Sequence, residues 1–133
     1  MNHIIGNIMT IFMRYIIMTK FIAFGDSNIN ILSPLKNKNF KIYKFKGISM
    51  RSLLSNHRDK ILEKCKKKYY DYGFFMFGVV DINFYYYYKK YHDNQQDILE
   101  QIYARTKEYV EFINSLPIKN KYINWCITKS CSN

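Results

Sequence analysis

A chain of 133 residues supports one domain with a sizeable core, and contents of 48% hydrophobic and 18% aromatic residues exclude the disordered class. The net charge of +11 raises nucleic acid as a partner, but the lysines (Lys36, Lys38, Lys41, Lys44, Lys46, Lys60, Lys64 and Lys66 to Lys68) are scattered along the chain. Dispersed charge, in a sequence biased toward Ile, Asn, Lys, Tyr and Phe, predicts non-specific attraction alone, so nucleic acid is not the expected partner.

Met1 to Met18 carries Ile4-Ile5, Ile8-Met9, Ile11-Phe12-Met13 and Ile16-Ile17, with Arg14 inside the run. A bilayer needs about 20 apolar residues, so no membrane span is predicted. The segment lacks the basic start and small-residue cleavage site of a signal peptide, and a cytoplasmic location is expected. Met18-Thr19-Lys20 resembles a natural protein start. Residues 1–18 are read as an N-terminal extension, either foreign to the domain or a loosely docked amphipathic piece, and residues 19–133 as the domain.

Lys20 to Phe24 reads as a short apolar strand running into Gly25-Asp26-Ser27-Asn28. A serine where a strand gives way to a helix can use the free N–H groups and positive dipole end of that helix. The same turn also makes a good helix N-cap, and both readings stand. Pro34 interrupts any long helix after it. Phe40 to Phe45 alternates apolar and basic residues, the period of a strand, and Gly47 ends it. From Ser49 to about Lys67, Met50, Leu53, Leu54, His57, Ile61 and Cys65 fall on one helical stripe.

Tyr72 to Val80 contains a continuous apolar run suited to a central strand, and Asp81 stands at its end. The aromatic stretch Phe84 to Tyr88 is predicted to form a loop or short helix above it. Asp93 or Asn94 is expected to cap a helix that Pro117 stops after Leu116, with Ile98, Ile102, Tyr109, Val110 and Ile113 on its buried face. Lys121 to Ile127 reads as a fourth strand, lying at an edge. Strands alternating with helices give an α/β class with a parallel sheet. Functional residues in such sheets gather beyond the carboxyl ends of the strands, where Ser27, Gly47 and Asp81 all fall.

Three cysteines, Cys65, Cys126 and Cys131, show no C-x-x-C spacing, which argues against a disulfide framework or structural zinc. Free thiols are expected, with a Cys126–Cys131 pairing open in an oxidising compartment. His3, His57 and His92 lie far apart, so no metal site or cofactor is predicted.

Phe24-Gly25-Asp26-Ser27, Lys46-Gly47-Ile48-Ser49 and Phe77-Gly78-Val79-Val80-Asp81 together resemble the first three blocks of the SGNH, or GDSL-type, hydrolase superfamily. The resemblance covers residues 20 to about 127. It implies a three-layer α/β/α fold with a central parallel sheet of SGNH/flavodoxin-like type, C-terminally incomplete. It also implies a serine ester hydrolase acting on a small-molecule ester or an acylated sugar. Ser27 matches the nucleophile, and the Ser27 and Gly47 N–H groups match oxyanion donors. Val80 stands where the family has an oxyanion asparagine, and a valine side chain donates nothing; Asn83 is the nearby substitute. The family's C-terminal Asp-x-x-His is absent from this sequence, leaving His92 as the histidine nearest the cleft. Asp26 and Asn28 are assigned to the turn. Asp81 either orients a substrate hydroxyl or the Ser27 loop, or caps the turn after its own strand. An inactive, truncated relative of that family stands beside the hydrolase, and a non-catalytic α/β binding module, or more remotely a basic phosphate or nucleic-acid binder, is the alternative function.

Overall fold

The structure, a computed structural model, describes residues 2–124, with the side chains of residues 5–13 and 18–124. Four strands, β1 (Phe21–Gly25), β2 (Phe40–Lys44), β3 (Tyr72–Met76) and β4 (Asn120–Ile123), form one sheet in the order β2-β1-β3-β4. Every pairing is parallel, so the predicted α/β class with a parallel sheet holds. Parallel neighbours require crossovers. A 3-10 helix, Ser27–Leu35, links β1 to β2. Two helices, α2 (Met50–Asn56) and α3 (Arg58–Lys66), link β2 to β3. A π-helical stretch over Asp81–Tyr86 and Tyr88–His92, followed by α4 (Ile98–Ser115), links β3 to β4.

Alternation along the strands gives the sheet two unlike faces. Ile22, Phe24 and Phe75 point into the main core, where they meet Leu53 and Leu54 of α2, Ile61 and Cys65 of α3, and Ile102, Tyr109 and Ile113 of α4. Phe24 stacks between Tyr43 at 5.4 Å and Phe75 at 5.7 Å, so three strands share one aromatic layer. On the other face, Ala23, Phe40 and Met76 pack with Ile29 and Leu32 of the Ser27–Leu35 helix. That helix stays short because Pro34 lies inside it.

Several boundaries differ from those the sequence suggests. The helix expected from Ser49 to Lys67 is broken at His57, whose φ of −126° and ψ of 0° leave the helical region. The break lets α2 and α3 each turn an apolar side to the core, and the His57 ring sits edge-on to Phe45 at 5.3 Å. The third strand ends at Met76, not Val80, because Gly78 takes a φ of +116° that turns the chain out of the sheet. Asp97, rather than Asp93 or Asn94, precedes α4, and Asn94 instead adopts a left-handed φ of 55°. The fourth strand covers Asn120–Ile123 and stops before Asn124, and residues 125–127 of its expected span, with Cys126, and Cys131 beyond them, lie outside the described residues. Cys65 is a free, buried thiol whose pKa burial pushes up to about 12.

The N-terminal segment forms α1 (Asn2–Met18), and every side chain from Ile5 to Met13 is exposed. No described helix is long and apolar enough to cross a membrane.

Gly25 marks the tightest point of the scaffold. A Cβ there would lie 2.9 Å from both the Ile29 Cβ and the Met76 carbonyl oxygen, and backbone cannot move aside as a flexible side-chain tip does. Gly25→Ala is expected to destabilise the fold by about 1–3 kcal/mol, read as a lower urea midpoint. An unchanged midpoint would show that β1 and β3 can separate at this end.

Candidate functional site at the carboxyl end of the sheet

Backbone bonds gather the ends of β1, β2 and β3. The Phe45 N–H donates to the Gly25 carbonyl at 2.8 Å, and the Asp26 N–H to the Met76 carbonyl at 3.1 Å. Asp26 then leaves the strand as the N-cap of the Ser27–Leu35 helix. Its Oδ1 accepts from the Asn28 N–H and from the Asn28 side-chain amide, both at 2.9 Å. The turn assignment of Asp26 and Asn28 is therefore realised as an N-cap. Ser27, the first residue of that helix, is exposed, and its hydroxyl hydrogen-bonds no described residue.

Gly47 occupies the turn after β2 with φ +66°, a conformation L side chains rarely adopt. Ser49 follows as the N-cap of α2 and accepts from the Ser52 N–H at 3.1 Å. Asp81 reaches this turn from the far side of β1, and its Oδ2 accepts from the Met50 N–H at 2.8 Å. Beyond the cap expected at its own turn, where its own backbone N–H also favours the carboxylate, Asp81 satisfies the start of the helix after β2, because the β2-β1-β3 order brings these two crossovers to the same sheet end.

Both carboxylates are buried, and each leaves one oxygen unpartnered: Asp26 Oδ2 and Asp81 Oδ1. The buried Tyr109 hydroxyl of α4 is likewise without a hydrogen-bond partner. Burial raises the Asp81 pKa, and the Asp26 charge adds to the rise; the Met50 N–H, its own backbone N–H and the Arg105 guanidinium oppose it. Burial, then the charges of Asp26 and Asp81, raises the Tyr109 pKa as well. Tyr109 was legible in the sequence only as an apolar-face residue, and Arg105 carried no signal there. Their roles arise because α4 packs against α2 and the π-helical stretch, which brings Tyr109 onto Phe77 and Arg105 onto Tyr85.

The remaining sequence candidates sit outside this cluster. Asn83 is exposed and hydrogen-bonds no described residue, so it does not stand in for a donor at Val80. Val80 lines a surface cavity of about 340 Å³ with Ser49, Phe84, Tyr85, Tyr88 and Lys89. The aromatic segment, expected as a loop or short helix, is π-helical and is held on α4, where the Arg105 guanidinium lies 4.7 Å over the Tyr85 ring. His92 is exposed, stacks on Tyr88 at 4.6 Å, and has its Nδ1 3.1 Å from Asp93 Oδ1. The carboxylate partner that sequence reasoning did not find is thus its immediate neighbour. Neither His57 nor His92 hydrogen-bonds Ser27. No group of three His, Cys, Asp or Glu residues among the described ones has the geometry to hold a metal ion.

No protein-family model, curated protein or solved structure matches the chain.

Asp81 gives a pH-dependent prediction. A carboxyl whose folded pKa lies above its unfolded value favours the fold below the unfolded pKa, and that contribution is lost as pH rises through the folded pKa. Asp81→Asn keeps an acceptor for the Met50 N–H and removes the buried charge. Its stability at pH 7 is expected to equal or exceed that of the unmodified chain, with the difference shrinking as pH falls through the folded Asp81 pKa. Asp81→Ala, which orphans the Met50 N–H, is expected to cost about 1–3 kcal/mol. Urea titrations at several pH values read both, and equal stability of the two variants would dismiss the Met50 bond as a structural tie.

Proposed function

We propose that the chain is a serine ester hydrolase of the SGNH/GDSL type, built on that superfamily's three-layer, flavodoxin-like α/β/α plan and acting on a small-molecule ester or an acylated sugar. The observation that carries this reading is Ser27 itself. It is exposed, it opens a helix at the carboxyl end of the central strand β1, and its neighbour Asp26 is already spent on the cap. A serine hydroxyl left unbonded at a helix start is available for attack on a carbonyl carbon, and backbone N–H groups there stabilise the negative charge that develops on the carbonyl oxygen. In the proposed reaction, the Ser27 Oγ adds to the ester carbonyl and a base takes its proton. The N–H groups of Ser27 and Gly47 hold the oxyanion. Loss of the alcohol leaves an acyl-Ser27 ester, which water hydrolyses to release the acid and restore the hydroxyl.

A second reading rests on Val80 and the histidines. Val80 offers no side-chain donor, His57 packs on Phe45, and His92 pairs with Asp93. These features favour a non-catalytic relative that keeps the serine turn without a proton acceptor and binds its ligand unchanged.

A panel of acyl esters of increasing chain length, with acetylated sugars, separates the two. Under the first reading the protein hydrolyses at least one member, and Ser27→Ala lowers kcat/KM by at least about 1,000-fold with the circular dichroism spectrum unchanged. Turnover that survives Ser27→Ala rejects Ser27 as nucleophile. A folded protein inert to the whole panel rejects the hydrolase in favour of the binding module.

A further inference from the structure

The walls of the 340 Å³ surface cavity select what can fill it. Its volume falls at the lower end of the range of about 300–1,000 Å³ for small-ligand sites. Phe84, Tyr85 and Tyr88 supply three aromatic rings, Val80 a branched aliphatic, and Ser49 and Lys89 the remaining side chains. Phe84 is 68% exposed and Tyr88 53%, so two large rings stand in water beside a concave space.

These walls are held in place by groups behind them. Phe84, Tyr85, Tyr88 and Lys89 come from the π-helical stretch, whose wide turns bring positions i, i+1, i+4 and i+5 to one side. Such segments are rare and concentrate at functional sites. The Tyr85 hydroxyl accepts from Arg105 Nη2 at 3.2 Å and donates to Gln101 Oε1 at 3.3 Å, while its ring lies under the Arg105 guanidinium. Tyr88 stacks on His92, and the Lys89 ammonium donates to Asp93 Oδ2 at 2.8 Å.

The polar capacity of the cavity is therefore small. The Tyr85 hydroxyl and the Lys89 charge already have partners. Ser49 Oγ accepts from the Ser52 N–H but donates its own proton to no described residue. Little beyond the Ser49 and Tyr88 hydroxyls is left for a ligand, too few for the several hydroxyls of a sugar ring, each of which needs a partner on burial. An alkyl chain needs none, and rings and branched carbons favour it.

The cavity adjoins the Ser27 turn. Ser49 directly precedes Met50 and Val80 directly precedes Asp81, so the 2.8 Å bond from Met50 to Asp81 ties two of its walls together. Asp26, which directly precedes Ser27, is close enough to Asp81 for its charge to act on that carboxyl.

We propose that this cavity is a binding site for a medium-length, unbranched acyl chain, the one carried by the ester that Ser27 attacks. The chemistry rests on the hydrolase reading; the affinity for an alkyl chain does not.

Methyl acetate, butyrate, hexanoate and octanoate, with acid release followed by pH-stat, give the first test. Each added methylene is expected to raise kcat/KM about fourfold until the cavity is full. Phe84→Asp and Tyr88→Ala, both at exposed positions and each checked by circular dichroism, are expected to lower the octanoate-to-acetate ratio by at least about tenfold. The second test follows methyl octanoate by saturation-transfer NMR on Ser27→Ala, where saturable binding is expected and Phe84→Asp in the same background weakens it. Turnover with no chain-length preference, or with a preference that both variants leave intact, overturns the cavity site and leaves the hydrolase standing. No turnover by the unmodified chain, with methyl octanoate bound in a Phe84-dependent way, rejects the hydrolase and supports the alkyl-chain site. Neither turnover nor binding overturns both.

Discussion

The bond from the Met50 N–H to the buried carboxylate of Asp81 organises this end of the molecule. It joins the crossover after β3 to the crossover after β2 over the top of β1, the strand that separates them. The bond satisfies a donor at a helix start that would otherwise be buried without a partner. It also holds in place the segment between β2 and α2 that contains Gly47. Asp26 fixes the neighbouring turn in the same way, through Asn28. The two carboxylates thus act first as anchors for backbone, and Ser27 is exposed between elements that cannot drift.

That arrangement has an electrostatic cost. Two acids and a tyrosine hydroxyl are buried together, and each leaves an oxygen unpaired. Arg105, from α4, is the cation that offsets the Asp81 charge, and it also lies over Tyr85. Elsewhere several lysines lie against carboxylates and rings of the same chain. Lys89 pairs with Asp93, Lys90 donates to the Tyr86 hydroxyl, and Lys60 and Lys64 lie over the rings of Phe45 and Tyr43.

The sheet's two faces differ in how they are covered. One meets three helices and holds the large core; the other meets one short helix and carries a row of aromatic rings. The asymmetry follows from Pro34 and from the brevity of the β1–β2 connection, which gives that face no long helix of its own.

The sequence by itself determined the strands and their parallel class, because apolar runs of four to six residues alternating with helical stripes admit few other arrangements. It also determined that Ser27, Gly47 and Asp81 lie at strand ends, since Gly25-Asp26-Ser27 and the glycine turns are local signals. Local signals could not determine strand order. Only the tertiary structure decided that Asp81 also serves α2, that Tyr109 and Arg105 attend the carboxylates, and that His57 breaks a helix whose stripe looks continuous. Each of these depends on which crossover lies beside which, a matter of long-range packing that neighbouring residues do not encode. The apolar character of residues 1–18 was plain from composition. That its side chains from Ile5 to Met13 lie exposed, and that Lys20 is tied to Asp71 fifty-one residues further along the chain, was decided only by the tertiary structure.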